Sequence, residues 1–376
     1  MKLIKSIVLS FVVAGLVFGN MAFALEVNSA KAEIVNVISS PNFETLGENE
    51  QAVQVFNLKI LNGEYAGTIV ENVEYGAISS LGPSSLLGQG DKVLVDLTSY
   101  LSTGQVVVQE VVRTLPLVVL FGIFLVLVLV VSGWPGLRSF IGLIASILLI
   151  VFMYIPQVLA GGSPLLLSLL YGTIIMVIAL PFAHGFNRKT MAALFGTLMT
   201  LVVVLILAYI FAHWAHLSGF VDEEVRFLYL DGINFDFRGL MIGAMILGTL
   251  GVLDDVTVSQ SAIVFELNEA NPKFTFKQLF LRALNVGRDH IASTVNTLAL
   301  AYIGVSLPLL LLLYQGNVGF DFFIQYEVVT TEIVRMLVGS IGIVFSIPVT
   351  NYIACYLAKT EVFKKLPVGD HVGCNH

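Results

Sequence analysis

From Arg113 onward the sequence is a succession of long apolar stretches, and this feature limits the fold more than any other. A hydrocarbon core about 30 Å thick is crossed by about 20 helical residues. Seven stretches approach or reach that length: Leu115–Ser132, Phe140–Ile155, Leu165–Phe182, Met191–Phe211, Leu240–Gln260, Ile291–Tyr314 and Val334–Tyr356. The chain is 57% apolar and only 12% charged, with a mean hydropathy of +0.89, and a water-soluble fold could not bury that much apolar surface. The sequence therefore predicts an α-helical polytopic membrane protein with about seven transmembrane helices.

The first 24 residues have the layout of a secretory signal. Lys2 and Lys5 precede an apolar run over residues 7–18, and small residues lead up to Ala24. We predict a signal peptide over residues 1–24. The alternative is an uncleaved eighth membrane helix, because polytopic proteins often keep such signal anchors.

Residues 25–112 are instead polar and β-prone. Short alternating runs, which are typical of strands, occur at 53–60, 68–75, 92–97 and 105–112. Asn62 and Gly63 follow the first run, and both tolerate the positive φ angles of a type I′ hairpin turn. We predict a small N-terminal all-β extracytoplasmic domain of about five strands, folded as an OB-like or SH3-like barrel.

Basic residues fall in alternate loops between the apolar stretches. They are Arg138, Arg188, Lys189, Lys273, Lys277, Arg282, Arg288, Lys359, Lys364 and Lys365. The intervening loops are acidic, with Asp222, Glu223, Glu224, Asp231, Asp236, Asp321 and Glu327. Because basic residues in short loops stay cytoplasmic, the pattern predicts a transmembrane domain over residues 113–358, a cytoplasmic tail over 359–376, and an N-out, C-in topology.

Several function classes are excluded by composition. A net charge of −7 and a pI near 5.4 argue against nucleic acid as a partner. The two cysteines, Cys355 and Cys374, lie where the topology predicts a reducing cytoplasm, so no disulfide framework is expected. His371, Cys374 and His376 are metal-ligand types, but a terminal tail provides no fixed geometry. We therefore expect no metal site and no cofactor.

Asp254 and Asp255 are the most informative residues of the chain. Fourteen residues, 240–253, precede them in their apolar stretch, so a helix starting at Leu240 has risen only about 21 Å and the pair lies within the membrane zone. An ionised Asp at mid-depth costs about 2.5–3.5 kcal/mol on insertion scales, which favours a functional role. Helical spacing places Asp255, Ser259 and Glu266 on one face, with Asp254 beside it.

Three glycines precede the acidic pair, at Gly243, Gly248 and Gly251. One interpretation is close helix packing through small residues. The other is a break in the helix that frees backbone carbonyls to bind a cation.

A second polar stripe begins the next span. Asp289, Ser293 and Asn296 share one helical face, and His290 lies on the adjacent face. These groups are candidates for ion or substrate binding, although hydroxyls and amides also join neighbouring helices structurally. In the last span, Glu332 and Arg335 are spaced i, i+3 and predict a structural ion pair.

Several of these runs resemble those of the YibE/F-like family of bacterial multipass membrane proteins. They are HGFNRKT, GVLDDVTVSQSAIVFEL, NVGRDHIASTVNTLALAYIG, SLPLLLL and TTEIVRMLVGSIG. The resemblance covers most of the chain from about Arg113. It implies a protein of the bacterial cytoplasmic membrane with an extracytoplasmic β domain, and it implies no particular substrate. The family pattern often has Asn at the first acidic position, which gives Asp255 more weight than Asp254.

Three functions remain open at this point. The first is a transporter or channel for a cation, a proton or a small molecule, with the intramembrane carboxylates as its site. The second is a non-catalytic scaffold or sensor that binds an extracellular partner through the β domain. The third is an intramembrane hydrolase using an aspartate pair, but adjacent aspartates point about 100° apart on a helix and the chain lacks HExxH, Walker A and GxSxG motifs. The sequence leaves the oligomeric state open.

Overall fold

The computed structural model describes residues 29–41, 52–77, 86–98, 100, 106–221, 223–233, 235–316, 319–360 and 366–368. These residues form two compact units, a β unit that ends at Val130 and a helical unit that begins at Val131. The predicted signal peptide and the tail residues His371, Cys374 and His376 lie outside the described part of the chain.

The β unit is a five-stranded antiparallel sheet in the order β3-β2-β1-β4-β5. Its strands are β1 (Ser29–Ser39), β2 (Ala52–Ile60), β3 (Ile69–Ala77), β4 (Lys92–Asp96) and β5 (Val107–Val111). Alternate residues point inward, as in the buried series Ala30, Ala32 and Ile34 of β1. The edge strands β3 and β5 also contact each other, so the sheet curls into a half-barrel. The more specific OB-like or SH3-like fold stays a prediction.

The β2–β3 hairpin is present where Asn62-Gly63 predicts it, but these two residues do not form the predicted type I′ turn. β2 ends at Ile60 and β3 begins at Ile69, so the connection is a longer loop. Gly63 has a φ of 86°, whereas Asn62 is not in the positive-φ region that a type I′ turn requires. The Asn62 Oδ1 instead accepts a hydrogen bond from the Lys31 amide of β1, which fixes the loop to a third strand.

A buried glutamine ties the loop before β4 to the sheet. Gln54 is 1% exposed, its Nε2 donates to the Leu87 carbonyl at 2.8 Å, and its Oε1 accepts from the Leu87 amide at 2.9 Å. We expect Gln54→Leu to destabilise the β unit by about 1–3 kcal/mol, because both Leu87 groups lose their partner. Limited proteolysis of the full-length protein should therefore cut this unit several times faster. The exposed Gln109→Leu on β5 is the control; equal cleavage of both variants would contradict the expectation.

The remaining elements are helices. Their bounds are α1 (Thr114–Leu149), a π-helical turn (Ile150–Tyr154), α2 (Ile155–Leu159), α3 (Pro164–His184), α4 (Arg188–Trp214), α5 (Glu223–Leu230), α6 (Phe237–Ala270), α7 (Phe276–Val305), α8 (Leu307–Gln315), α9 (Phe320–Phe323) and α10 (Glu327–Lys359).

The first helical stretch is too long for one crossing. It covers 46 residues from Thr114 to Leu159, about 69 Å at the usual rise, more than twice the hydrocarbon thickness. Its helical conformation is interrupted at Gly133, with φ 59° and ψ −145°, two residues before Pro135. A proline inside a helix removes a backbone hydrogen bond and favours a kink or break, and glycine tolerates the positive φ. The break separates the two predicted spans of this region, 115–132 and 140–155, within one helical stretch.

Five helical stretches in the described residues are long and apolar enough to cross a membrane, and six if the bent pair α7–α8 is one span. The prediction of about seven exceeds this number because two predicted spans fall in the single stretch Thr114–Leu159. The axes of α7 and α8 differ by 59° at a break before Pro308. The structure thus has a helical region of five to six candidate spans.

Within the helical unit, α6 is the central helix. It packs against α3, α4, α7 and α10. The residues that these helices bring into contact show the chain direction of each helix relative to α6. α3 and α10 run parallel to α6, and α4 and α7 run antiparallel to it. Lys189 at the start of α4 pairs with Glu266 near the end of α6, for example. We call this side of the unit the Lys189 end and the opposite side the Ser218 end.

Candidate functional site in the helical unit

The helix that carries the acidic pair is continuous. α6 extends over 34 residues, and Asp236 caps its start by accepting a hydrogen bond from the Gly239 amide at 2.8 Å. A broken helix at the three glycines is therefore not observed. Gly243 packs directly on Ser168 of α3, and a methyl group at Gly248 would lie 3.5 Å from the Tyr302 hydroxyl of α7. Gly251 has open space around its Cα.

Asp254 lines a cavity of about 380 Å³ between the second part of α1, α3 and α6. We call it the Asp254 cavity; its lining residues are Ser139, Gly142, Leu143, Ser146, Ile147, Ile150, Ile175, Met176, Ala179, Ala183, His184, Leu247, Leu250, Gly251 and Asp254. The Asp254 Oδ1 is buried and has no hydrogen-bond partner within the described residues. Asp255, one residue on, is exposed and does not line the cavity. The two carboxylates therefore do not form a catalytic pair in this cavity.

The walls of the Asp254 cavity are mostly apolar. Besides Asp254, its polar side chains are His184 and two serines, of which Ser146 donates to the Gly142 carbonyl at 2.9 Å. Ca²⁺ takes six to eight oxygen ligands and Mg²⁺ six, more than this set provides. No cluster of three or more His, Cys, Asp and Glu side chains occurs in the described part of the chain. An unpartnered carboxylate in apolar surroundings is better suited to taking up a proton or a single monovalent cation.

The other predicted site residues lie elsewhere. Ser259 is half-buried on α6, and Glu266 forms a 2.9 Å salt bridge with Lys189. Asp289, Ser293 and Asn296 are exposed on α7 and do not line the Asp254 cavity.

Two further predicted features stand apart from this cavity. His290 is half-buried on α7, and its buried Nε2 has no partner among the described residues. The Glu332 and Arg335 side chains, spaced i, i+3 on α10, are joined by a contact of 2.8 Å.

Sequence reasoning missed a buried polar layer where α4, α6, α7 and α10 meet. The Gln260 Nε2 donates to the Asn351 Oδ1 at 2.9 Å and to the Ala283 carbonyl at 2.8 Å. Near it, the hydroxyls of Thr197 and Thr257 are 2.7 Å apart. Amides inside predicted spans are a usable signal for such a layer, since lipid offers them no partner. Through these hydrogen bonds the layer links four helices.

A second cavity, of about 690 Å³, lies at the Ser218 end. We call it the Arg238 pocket; it is lined by Leu165, Tyr209, His213, Ser218, Phe220, Tyr229, Phe235, Asp236, Phe237, Arg238, Gly239 and Ile242. Arg238 is held by a hydrogen bond from its Nε to the Leu217 carbonyl. The rings of Phe220 and Phe237 are 4.4 Å apart and form part of the wall. This pocket was also missed, because its residues come from five separate segments.

The two cavities lie along the same helix pair, α3 and α6. Leu165 and Ile242 belong to the Arg238 pocket, whereas Ala183 and Asp254 line the other cavity. Between them the helices are in direct contact through Ser168 and Gly243, and Ser168 is hydrogen-bonded to Tyr154 at 2.9 Å. One cavity is therefore closed off from the other by about two turns of tightly packed helix.

The long apolar helices that follow an N-terminal β domain indicate the class of helical membrane proteins. The family model described as YibE/F-like protein matches residues 120–360. Because this match covers more than half of the chain, the protein belongs to the YibE/F-like family. Neither a curated protein nor a solved structure matches the chain.

Proposed function

We propose that the protein is a transporter or channel in which Asp254 takes up and releases a proton or a monovalent cation. The observation that carries this proposal is the unpartnered Asp254 carboxylate oxygen in a cavity inside the candidate spans. Burying such a group without a partner is costly, so its presence favours a function. The small number of oxygen donors around it favours the proton over the metal cations.

The second cavity supports movement rather than static binding. One cavity lies at the Ser218 end of α3 and α6 and the other beside the middle of α6, with a packed segment between them. A conduit that opens to one side at a time needs such an arrangement. In this proposal the Ser168–Gly243 contact is the closed segment. Access to Asp254 from the Ser218 end requires α3 and α6 to separate there.

The orientation of the bundle is part of the same proposal. At the Lys189 end, Arg188 donates to the Thr360 carbonyl and Lys359 to the Pro272 carbonyl, so several basic residues gather on one side. The positive-inside rule favours the cytoplasm for this side. The β unit is then extracytoplasmic and is exported by the signal sequence, and the C-terminus is cytoplasmic.

Filling the cavity is a direct test of this function. Gly251 lines the cavity, and a methyl group placed on its Cα would have no heavy atom within 4 Å, so Gly251→Leu adds volume at the cavity without a clash at its Cβ. We expect this variant to lose about tenfold or more of the proton flux into liposomes, because the carboxyl group of Asp254 becomes inaccessible. The flux is measured with an enclosed pH-sensitive dye under an imposed potassium potential.

The control is Ala244→Leu. Ala244 is exposed two turns earlier on the same face of α6 and lines neither cavity, so this change adds a larger side chain elsewhere on the helix. Its flux should stay within about twofold of the wild type. Wild-type flux in the Gly251→Leu protein would exclude the Asp254 cavity as the route. Absence of flux in the wild type, with several cations tested, would exclude the proposed function itself.

A further inference from the structure

The outward face of α7 is polar, although the helix is part of a candidate span. Ala283, Gly287 and Leu298 mark its buried side, which packs on α6 and α10. On the opposite side, Asp289 and Asn296 are both exposed. The exposed face also carries Arg288, Ala292, Ser293 and Thr297.

This face lies at the depth of the membrane helices beside it. Gly287 packs on Gln260 of α6, and Gly339 of α10 packs on Leu298. The α7 segment between these contacts runs alongside the interiors of two candidate spans. Lipid chains offer no hydrogen-bond partner, so amides and charged groups that face them are costly. Another protein surface is therefore needed to cover this stripe.

We infer that a second copy of the chain covers it, with α7 packed against α7 across a two-fold axis normal to the membrane. In such an interface residue i contacts j and residue j contacts i. Arg288 and Asp289 are adjacent and of opposite charge, and neither forms an ion pair within the described part of its own chain. Two reciprocal Arg288–Asp289 pairs can then form at the Lys189 end.

The residues further along α7 fit the same partner. Asn296 carries both a donor and an acceptor and can bond its own counterpart across the axis. Ala292 and Ser293 are small, which lets two helix backbones approach closely. The apolar part of α1, residues 115–131, has no side-chain hydrogen-bonding group and could not satisfy this stripe. The inference does not depend on the proposed transport function.

Cysteine cross-linking in membranes tests this interface. Cys355 and Cys374 are first replaced by Ala in the full-length chain, and single cysteines are introduced as Ser293→Cys or Asn296→Cys. On oxidation with copper phenanthroline we expect more than about half of the protein to run as a covalent dimer on a non-reducing gel, because cysteines near a two-fold axis face each other. Val202→Cys, on the exposed side of α4, is the control and should stay monomeric.

Cross-linking at positions 293 and 296 no greater than at position 202 would overturn the interface. A charge reversal tests the pairing in the same assay. Arg288→Asp alone and Asp289→Arg alone should each lower the dimer fraction about threefold or more, because like charges then oppose each other. The double variant should restore it. Unchanged cross-linking in both single variants would overturn the Arg288–Asp289 pairs.

Discussion

Replacing Asp254 by Asn is expected to reduce proton flux in reconstituted liposomes by about tenfold or more, whereas Asp255→Asn leaves it within about twofold of the wild type. The reason is geometric. The Asp254 carboxylate lines the cavity and its Oδ1 is unpartnered among the described residues, while the Asp255 side chain is exposed and outside the cavity. Asparagine has nearly the same shape as aspartate, but its amide cannot take up and release a proton as a carboxylate does.

This pair of variants is well matched, because the same substitution is made at adjacent positions. The family resemblance favours Asp255 as the functional carboxylate, whereas the cavity favours Asp254. Comparing the flux of the two variants decides between these residues. Both variants should elute as the wild type does on size-exclusion chromatography, because neither adds volume. Full flux in Asp254→Asn together with a large loss in Asp255→Asn would contradict the assignment.

Gly196→Leu is expected to cause a large loss of stability in the helical unit. Gly196 is where α4 crosses α10, and a methyl group there would lie 3.0 Å from the Thr350 Cβ and 3.2 Å from its Cα. The backbone of Thr350 cannot rotate away as a side-chain end would, so the helices must separate. Overpacking of this kind costs about 1–3 kcal/mol, and we expect the upper end for a whole Leu side chain.

The measurement is the midpoint of thermal aggregation in detergent, which we expect to fall by about 5 °C or more. Gly122→Leu is the matched control, since no heavy atom lies within 4 Å of a methyl group placed there. It should behave as the wild type. An unchanged midpoint for Gly196→Leu would show that α4 and α10 are not packed closely at Thr350.

The strands of the β unit are predictable because they have a local signal. Alternation of apolar and polar residues has the same period as the pleat, so the runs at 53–60 and 92–97 match β2 and β4 closely. The hairpin turn is less predictable. Its geometry depends on the hydrogen bond between Asn62 and Lys31 of β1, which is distant in the sequence.

The break in the first helical stretch is also visible in the sequence. The predicted span 115–132 ends directly before Gly133, where Pro135 and Arg138 interrupt the apolar run, although the structure continues the helical stretch to Leu159. The role of a glycine inside a span is less predictable. Gly243 and Gly251 illustrate this limit. The sequence allows packing or a helix break at both, but one is in contact with Ser168 and the other lines open space.

By itself the sequence determined the apolar helices, the strand pattern and the presence of an acidic pair among the candidate spans, because hydrophobic periodicity and the cost of charge in lipid are properties of a segment and its solvent. Only the tertiary structure decided which carboxylate of the pair lines a cavity and which polar residues of α7 face outward. Adjacent residues differ by about 100° around a helix, so that choice is made by the helices that pack against α6 and α7, and not by the order of residues along them.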